Sequence, residues 1–180
     1  MKKIITIIIS ALFFSNIALA KITMKYSGSL PVGHHLTGAQ KLFAKKVAEK
    51  TNGEIEIKVF PAKQLYSTKA VPAAVVTGAL EIGYNLFGVW TKDTISEIND
   101  VPFLIQNVEQ AGKAWDNNER LFKYYTKVMK DRKLKPLGVI FYGSLFDLTS
   151  PSQIVNPTDF KGKKIRTYSA LASEGIRALG

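Results

Sequence analysis

Apolar positions recur along this chain with two different periods. Ile22, Met24 and Tyr26 stand at every second residue, the spacing of a short strand with one buried face. After a Gly- and Pro-containing loop over residues 28–33, Leu36, Ala39, Leu42, Phe43 and Val47 follow a helical period until Thr51-Asn52-Gly53 supplies a stop. Ile55, Ile57 and Val59 then alternate with Glu54, Glu56 and Lys58, which reads as a second strand ended by Phe60-Pro61. Ser67 can cap a helix running to Gly78. Pro72 lacks a donor and crowds the carbonyl four residues earlier, so that helix is expected to start later than Ser67. Leu80, Ile82 and Tyr84 give a third strand. This rhythm, with crossovers of this length, predicts a parallel or mostly parallel sheet with helices on both faces, an α/β fold.

Beyond Trp90 the pattern loosens until Val101-Pro102-Phe103-Leu104. Residues 109–115 and 119–133 read as helices, the second turning Leu121, Phe122, Tyr125, Val128 and Met129 inward. Residues 137–142 are continuously apolar, as in a central fourth strand. A strand over 146–149, a polar loop with Pro151 and Pro157, a strand over 163–167 and a helix from Ser169 follow. That helix has barely begun at Gly180, so the chain is read as a piece of a longer protein. Residues 21–143 would form one α/β lobe and 144–180 the start of a second. Alone, residues 21–180 are expected to be poorly soluble and to bind nothing, because the apolar faces of 146–149 and 165–168 would lack cover.

The first twenty residues are a separate object. Lys2 and Lys3 precede an apolar stretch over 4–17, and Ala18-Leu19-Ala20 is a small-x-small cleavage site, together the pattern of a secretory signal peptide. The apolar run is shorter than the roughly 20 residues a membrane span needs. The absence of cysteine excludes disulfides, thiol chemistry and a lipid-anchored cysteine terminus.

Without Lys2 and Lys3 the balance is 23 basic against 14 acidic residues, or +9. Lys41, Lys45, Lys46, Lys58, Lys123, Lys127 and Lys130 are spread among apolar partners, which fits a solvated basic face better than a nucleic-acid or membrane patch. A positive field would also draw in anionic solutes.

Candidate chemistry centres on Arg166. It closes the run Pro157-Thr158-Asp159-Phe160-Lys161-Gly162-Lys163-Lys164-Ile165-Arg166, at the end of the expected strand and just before a helix. A guanidinium there can fork onto a carboxylate with two parallel hydrogen bonds, which a lysine does less specifically; from spacing alone it could equally be a surface arginine beside Lys163 and Lys164. In open α/β sheets ligands bind outside the carboxyl ends of strands. That rule makes Gln64, Asn85, Phe87, Trp90, Tyr142 and Phe146 further candidates, the aromatic ones serving equally as core. His34-His35 lacks a third metal ligand, and adjacent side chains are expected to point apart. Neither a P-loop, a G-x-S-x-G elbow nor H-E-x-x-H occurs. No metal or cofactor is expected, and an enzyme is not.

Five segments in order resemble the solute-binding proteins of tripartite ATP-independent periplasmic (TRAP) transporters, the DctP family. Phe43-Ala44 with Thr51-Asn52-Gly53 is similar to the family's first-helix ending, and Phe60-Pro61-Ala62-Lys63-Gln64-Leu65 to its (F/Y)P-x-x-QL. Gly78-Ala79-Leu80-Glu81 resembles G-x-L-(D/E), and Val101-Pro102-Phe103-Leu104 resembles (L/V)PF-(L/V). Leu148-Thr149-Ser150 with residues 159–166 is similar to the LTS…D-(L/M)-KG-x-K-(I/L)-R block. The resemblance implies a two-lobed clamshell of the periplasmic-binding-protein type, with the first lobe nearly complete and the second only begun. It implies a monomeric periplasmic receptor that gives an organic acid to a TRAP membrane permease, with Arg166 on the carboxylate. Many members carry a second arginine where this chain has Phe146, and sialic-acid binders a Glu and an Arg where it has Leu86 and Val89. Those replacements favour a monocarboxylate with an apolar or aromatic body, because a buried polar group without a partner costs about 1–3 kcal/mol. An exported hydrolytic enzyme and an envelope interaction domain are the alternative readings.

Overall fold

A computed structural model of the chain describes residues 21–90, 93–143 and 150–180. The proposed signal peptide and the strand expected over 146–149 lie outside those residues.

Strand β1 (Ile22–Ser27) is the centre of a three-stranded sheet ordered β2-β1-β3, with β2 (Ile55–Phe60) and β3 (Ile82–Gly83) both parallel to it. The parallel sheet expected from the strand-helix-strand rhythm is therefore present. Tyr26 and Ile57 bury their side chains together with Ala44 from helix α1 (His35–Lys50), which covers β2. Helix α1 starts where Thr37 Oγ1 donates to the Pro31 carbonyl at 2.9 Å. It ends at Thr51, whose hydroxyl donates back to Val47 and accepts from the Ile55 N–H at 3.1 Å, so one side chain closes the helix and opens β2. Asn52 and Gly53 take positive φ there, a glycine-tolerant reversal.

Helix α2 (Val71–Val76) begins later than Ser67, as Pro72 required, with the proline in the first turn where a missing N–H is harmless. Its Val71 and Ala74 are buried together with Leu80. Helix α3 (Phe87–Trp90) is a single turn. A 3-10 helix over Thr94–Asp100 follows, then α4 (Val108–Ala114) and α5 (Arg120–Lys130), close to the two helices expected. Phe122, Tyr125 and Met129 of α5 join Trp115, Ile95 and Leu134 in the larger core. Phe87 stacks on Trp115 with centroids 4.5 Å apart and meets Tyr125 edge-on at 5.0 Å.

Three strand expectations need correction. The third strand covers only Ile82–Gly83, because it pairs with β1 only at Tyr26 and Ser27. Residues 137–142 form no ladder among the described residues. Val139 and Phe141 pack on the core of α5 while Ile140 and Tyr142 face outward, so a two-residue alternation survives over residues 139–142 without a pairing strand, although Leu137 is exposed. Residues 163–167 are likewise extended but unpaired. Helix α6 (Ala170–Arg177) starts after Ser169, as expected.

Candidate functional site

A cavity of about 1110 Å³ opens beside β3, the sheet edge away from β2. Its walls come from the carboxyl-end residues of β1 and β3, the 3-10 helix, residues 133–143 and residues 166–169. This is where the strand-end rule for parallel sheets places a ligand. Of the sequence candidates, Arg166, Asn85, Phe87, Trp90 and Tyr142 all line it. Phe146 lies outside the described residues.

Gln64 is not brought to the cavity. It is exposed at the end of β2, on the far side of β1. Ala62 and Lys63 take left-handed φ values of 53° and 62°, and their N–H groups donate to Leu30 and Gly28 at 2.8 and 2.9 Å, which turns the chain toward the β1–α1 loop. That loop, residues 28–35, also lines none of the cavity. The His34 and His35 rings, expected to diverge, are stacked 4.4 Å apart, with Tyr142 5.1 Å from His34. His34 is the N-cap of α1, and Nδ1 accepts from the Leu36 N–H at 3.2 Å, which folds its ring back over the helix start. Among the described residues no group of three His, Asp or Glu could hold a metal.

The segment that delivers Arg166 explains its own motif. The Asp159 carboxylate accepts from the N–H groups of Val155 and Asn156 at 2.8 and 2.9 Å, bonds that hold its pKa below the ordinary value. Gly162 then turns with φ of 73°, and the chain runs out through Ile165 to Arg166. Arg166 is exposed, and its guanidinium makes no hydrogen bond or ion pair with any described residue. The Asp100 carboxylate on the cavity wall instead accepts from the Tyr168 hydroxyl at 2.9 Å.

The other candidates have structural duties. Asn85 Nδ2 donates to the Thr68 carbonyl at 2.6 Å and Oδ1 accepts from the Leu86 N–H at 3.0 Å, so its polar atoms are occupied in holding the turn after β3. Phe87 and Trp90 are cavity wall and core at once. Leu86 lines the cavity and Val89 does not. Burial, with Tyr142 nearby, pushes the Tyr84 phenol up to about 12, so this wall residue is a neutral hydroxyl at physiological pH. Ser96, Asn99, Asp100 and Lys133 also line the cavity and escaped the sequence reading. A 3-10 turn has neither the two-residue nor the 3.6-residue period, so a pattern search passes over it.

An apolar cavity at the strand ends of a parallel sheet, with the Arg166 guanidinium on its rim and Lys133 and Lys135 also on its wall, could take a small anionic ligand. Residues 26–180 match bacterial extracellular solute-binding protein family 7, and the chain belongs to that family. The 2,3-diketo-L-gulonate-binding periplasmic protein YiaO of Escherichia coli is 31% identical over 176 residues, which is 89% of this chain and 50% of that protein. The C4-dicarboxylate-binding periplasmic protein DctP of Vibrio cholerae is 26% identical over 152 residues, 83% of this chain and 45% of that one. Among solved structures, a TRAP periplasmic solute-binding protein of Pseudomonas aeruginosa with bound L-malate superposes with a TM-score of 0.77 at 17% identity, over 88% of this chain and 55% of that one. A Bordetella pertussis extracytoplasmic solute receptor binding pyroglutamic acid does so at 0.71 and 25% identity, over 88% and 52%. The fold is thus that of the two-lobed TRAP solute-binding proteins, a family of binding proteins and not of enzymes. The chain spans about half the length of the curated relatives it matches. Among the described residues no helix is long and apolar enough to cross a membrane.

Proposed function

We propose that the protein is a periplasmic receptor that holds an organic carboxylate through Arg166 and delivers it to a TRAP membrane permease. The observation that carries this reading is the Arg166 guanidinium, unpaired on the rim of a largely apolar cavity. A cation left without a protein carboxylate beside such a wall is ready for a bidentate anion. The named solutes of the relatives, L-malate, pyroglutamic acid and 2,3-diketo-L-gulonate among them, are acids of this size. Residues 21–143 form the first lobe on this reading, residues 144–180 open the second, and residues 1–20 are removed on export. Mass spectrometry of the exported protein should find its terminus at Lys21.

The solute is a monocarboxylate with an apolar body. Leu86, Phe87 and Trp90 line the wall, and the neutral Tyr84 hydroxyl can donate to a carboxylate or an oxo group. Calorimetry on the full-length protein with both lobes, using pyroglutamate, L-gulonate, L-malate and succinate, tests both statements. Arg166→Lys should weaken binding by about 2 kcal/mol, roughly thirtyfold, as the forked contact is lost. Unchanged affinity in that variant removes the carboxylate assignment, and tighter binding of succinate than of pyroglutamate removes the monocarboxylate one.

A further inference from the structure

The 3-10 helix over Thr94–Asp100 is fixed on one side and grips on the other. Ile95 and Ser96 are buried, Asn99 Oδ1 accepts from Trp115 Nε1 at 2.7 Å, and Asp93 pairs with Arg132 at 2.5 Å. These contacts tie the helix to the core of α5. Glu97 and Asp100, three residues apart and therefore nearly eclipsed on a 3-10 helix, both reach a segment 68 to 74 residues further along the chain. The Glu97 carboxylate accepts from the Ala170 N–H at 3.2 Å through one oxygen and from the Leu171 N–H at 3.1 Å through the other. Asp100 accepts from Tyr168.

The first turn of α6 is satisfied as a result. Ala170 and Leu171 donate to Glu97, Ala172 donates to Ser169 Oγ at 3.0 Å, and Ser173 donates to the Ser169 carbonyl at 3.2 Å. A helix start leaves such donors unpaired and carries partial positive charge, so a carboxylate across two of them is a charge-assisted contact. Here that carboxylate comes from a distant element rather than from the cap. Thr167 is also held, its hydroxyl 2.5 Å from that of Ser173.

We propose that Glu97, assisted by Asp100, is a positioning residue for solute binding: it clasps the first turn of α6 onto the 3-10 helix and so sets where Arg166 stands on the cavity rim. The inference rests on the Arg166 reading above. With residues 167, 168, 170 and 171 all held, the backbone at 166 has little freedom, and the guanidinium is presented from a fixed point. The hydrogen bonds of Ser169 and Thr167 to Ala172 and Ser173 lie within the segment and move with it, so they do not fix it to the 3-10 helix.

The chain has no cysteine, so labels can be placed freely. Spin labels on cysteines replacing the exposed Lys46 and Lys164, in the full-length protein with both lobes, report the distance between α1 and the segment before Arg166. The unaltered clasp should give one narrow distance distribution. Glu97→Ala should broaden it roughly twofold and speed amide exchange at Ala170 and Leu171 on the order of tenfold. Glu97→Gln, which keeps an acceptor, should recover part of both. The same Glu97→Ala protein should lose roughly tenfold in affinity for whichever of pyroglutamate, succinate and L-malate binds tightest. A distribution as narrow as wild type overturns the clasp, and a broadened one with unchanged affinity overturns the positioning role. Should Glu97→Ala lose the protected amides of β1, Glu97→Gln and Tyr168→Phe decide, and wild-type widths in both refute the proposal. Arg166→Lys should leave the distribution unaltered, so the solute-site reading and the clasp fail separately.

Discussion

Gly83 should not tolerate a single added methyl group. It pairs with Ser27 at the inner end of β3, and a Cβ built there would lie 2.5 Å from Val71 Cγ1, 2.9 Å from Trp90 Cη2 and 3.2 Å from Val75 Cγ2. Carbon atoms prefer separations of about 3.5–4.0 Å, so the first contact is an overlap of about 1 Å. Val71, the first residue of α2, is 1% exposed and has nowhere to turn, and Trp90 is cavity wall. Overpacking of this kind costs about 1–3 kcal/mol. Taking about 2 kcal/mol, Gly83→Ala should lower Tm by roughly 6 °C in a domain of this size. Urea unfolding of the full chain should show a lower midpoint at unchanged m-value. The mechanism has a sharper test in the pair. Val71→Ala alone should cost about 2 kcal/mol through lost contacts and a void, but in the Gly83→Ala background the new Cβ occupies that void. The double variant should then be about 1–2 kcal/mol more stable than the sum of the single effects. Additivity within about 0.5 kcal/mol would mean that the backbone, and not Val71, absorbs the methyl, and the packing argument would fail.

Gln40 is fully buried with neither amide atom hydrogen-bonded to any described residue, and Gly28 lies so close that a Cβ there would sit 2.6 Å from Oε1. Gln40→Met should therefore raise stability by about 1 kcal/mol in chemical denaturation, and a loss would show that the amide has a partner such as bound water. Burial raises the phenol pKa values of Tyr26 and Tyr84, the latter to about 12, above an unfolded value near 10. The folded state thus holds these protons more tightly, so their stabilisation is complete below about pH 10 and declines as pH rises toward 12 and beyond. Thermal melts should fall along that limb, less steeply in Tyr84→Phe, and a flat profile to about pH 11 would contradict the buried phenols.

Local chemistry made most of the first sheet and its helices readable. Thr51-Asn52-Gly53 marked the end of α1 because Thr51 caps it and the next two residues adopt positive φ, requirements that only a few residue types meet. Pro72 marked a late start for α2 because a proline fits a first turn and no later one. Residues 137–142 misled for a related reason. Alternating apolar side chains report which face is buried, and Val139 and Phe141 are indeed inward, but pairing is a property of a second segment that the run itself does not encode.

The same distinction separates the two halves of the candidate site. Arg166 was legible because its neighbours carry local geometry: Asp159 must accept from the two N–H groups before it and Gly162 must turn left-handed, which fixes a recognisable spacing up to the arginine. Glu97 and Asp100 carry no such trace. Their partners lie 68 to 74 residues away, in an element with no long period, and a carboxylate that accepts from backbone N–H groups asks nothing of the side chains it meets. Any residue type at 170 and 171 other than proline would satisfy Glu97 equally, so neither composition nor spacing near α6 could announce it. On the proposed reading, the residue that would touch the ligand sits in a motif of local turns, whereas residues that hold a distant backbone become visible only once the chain is folded.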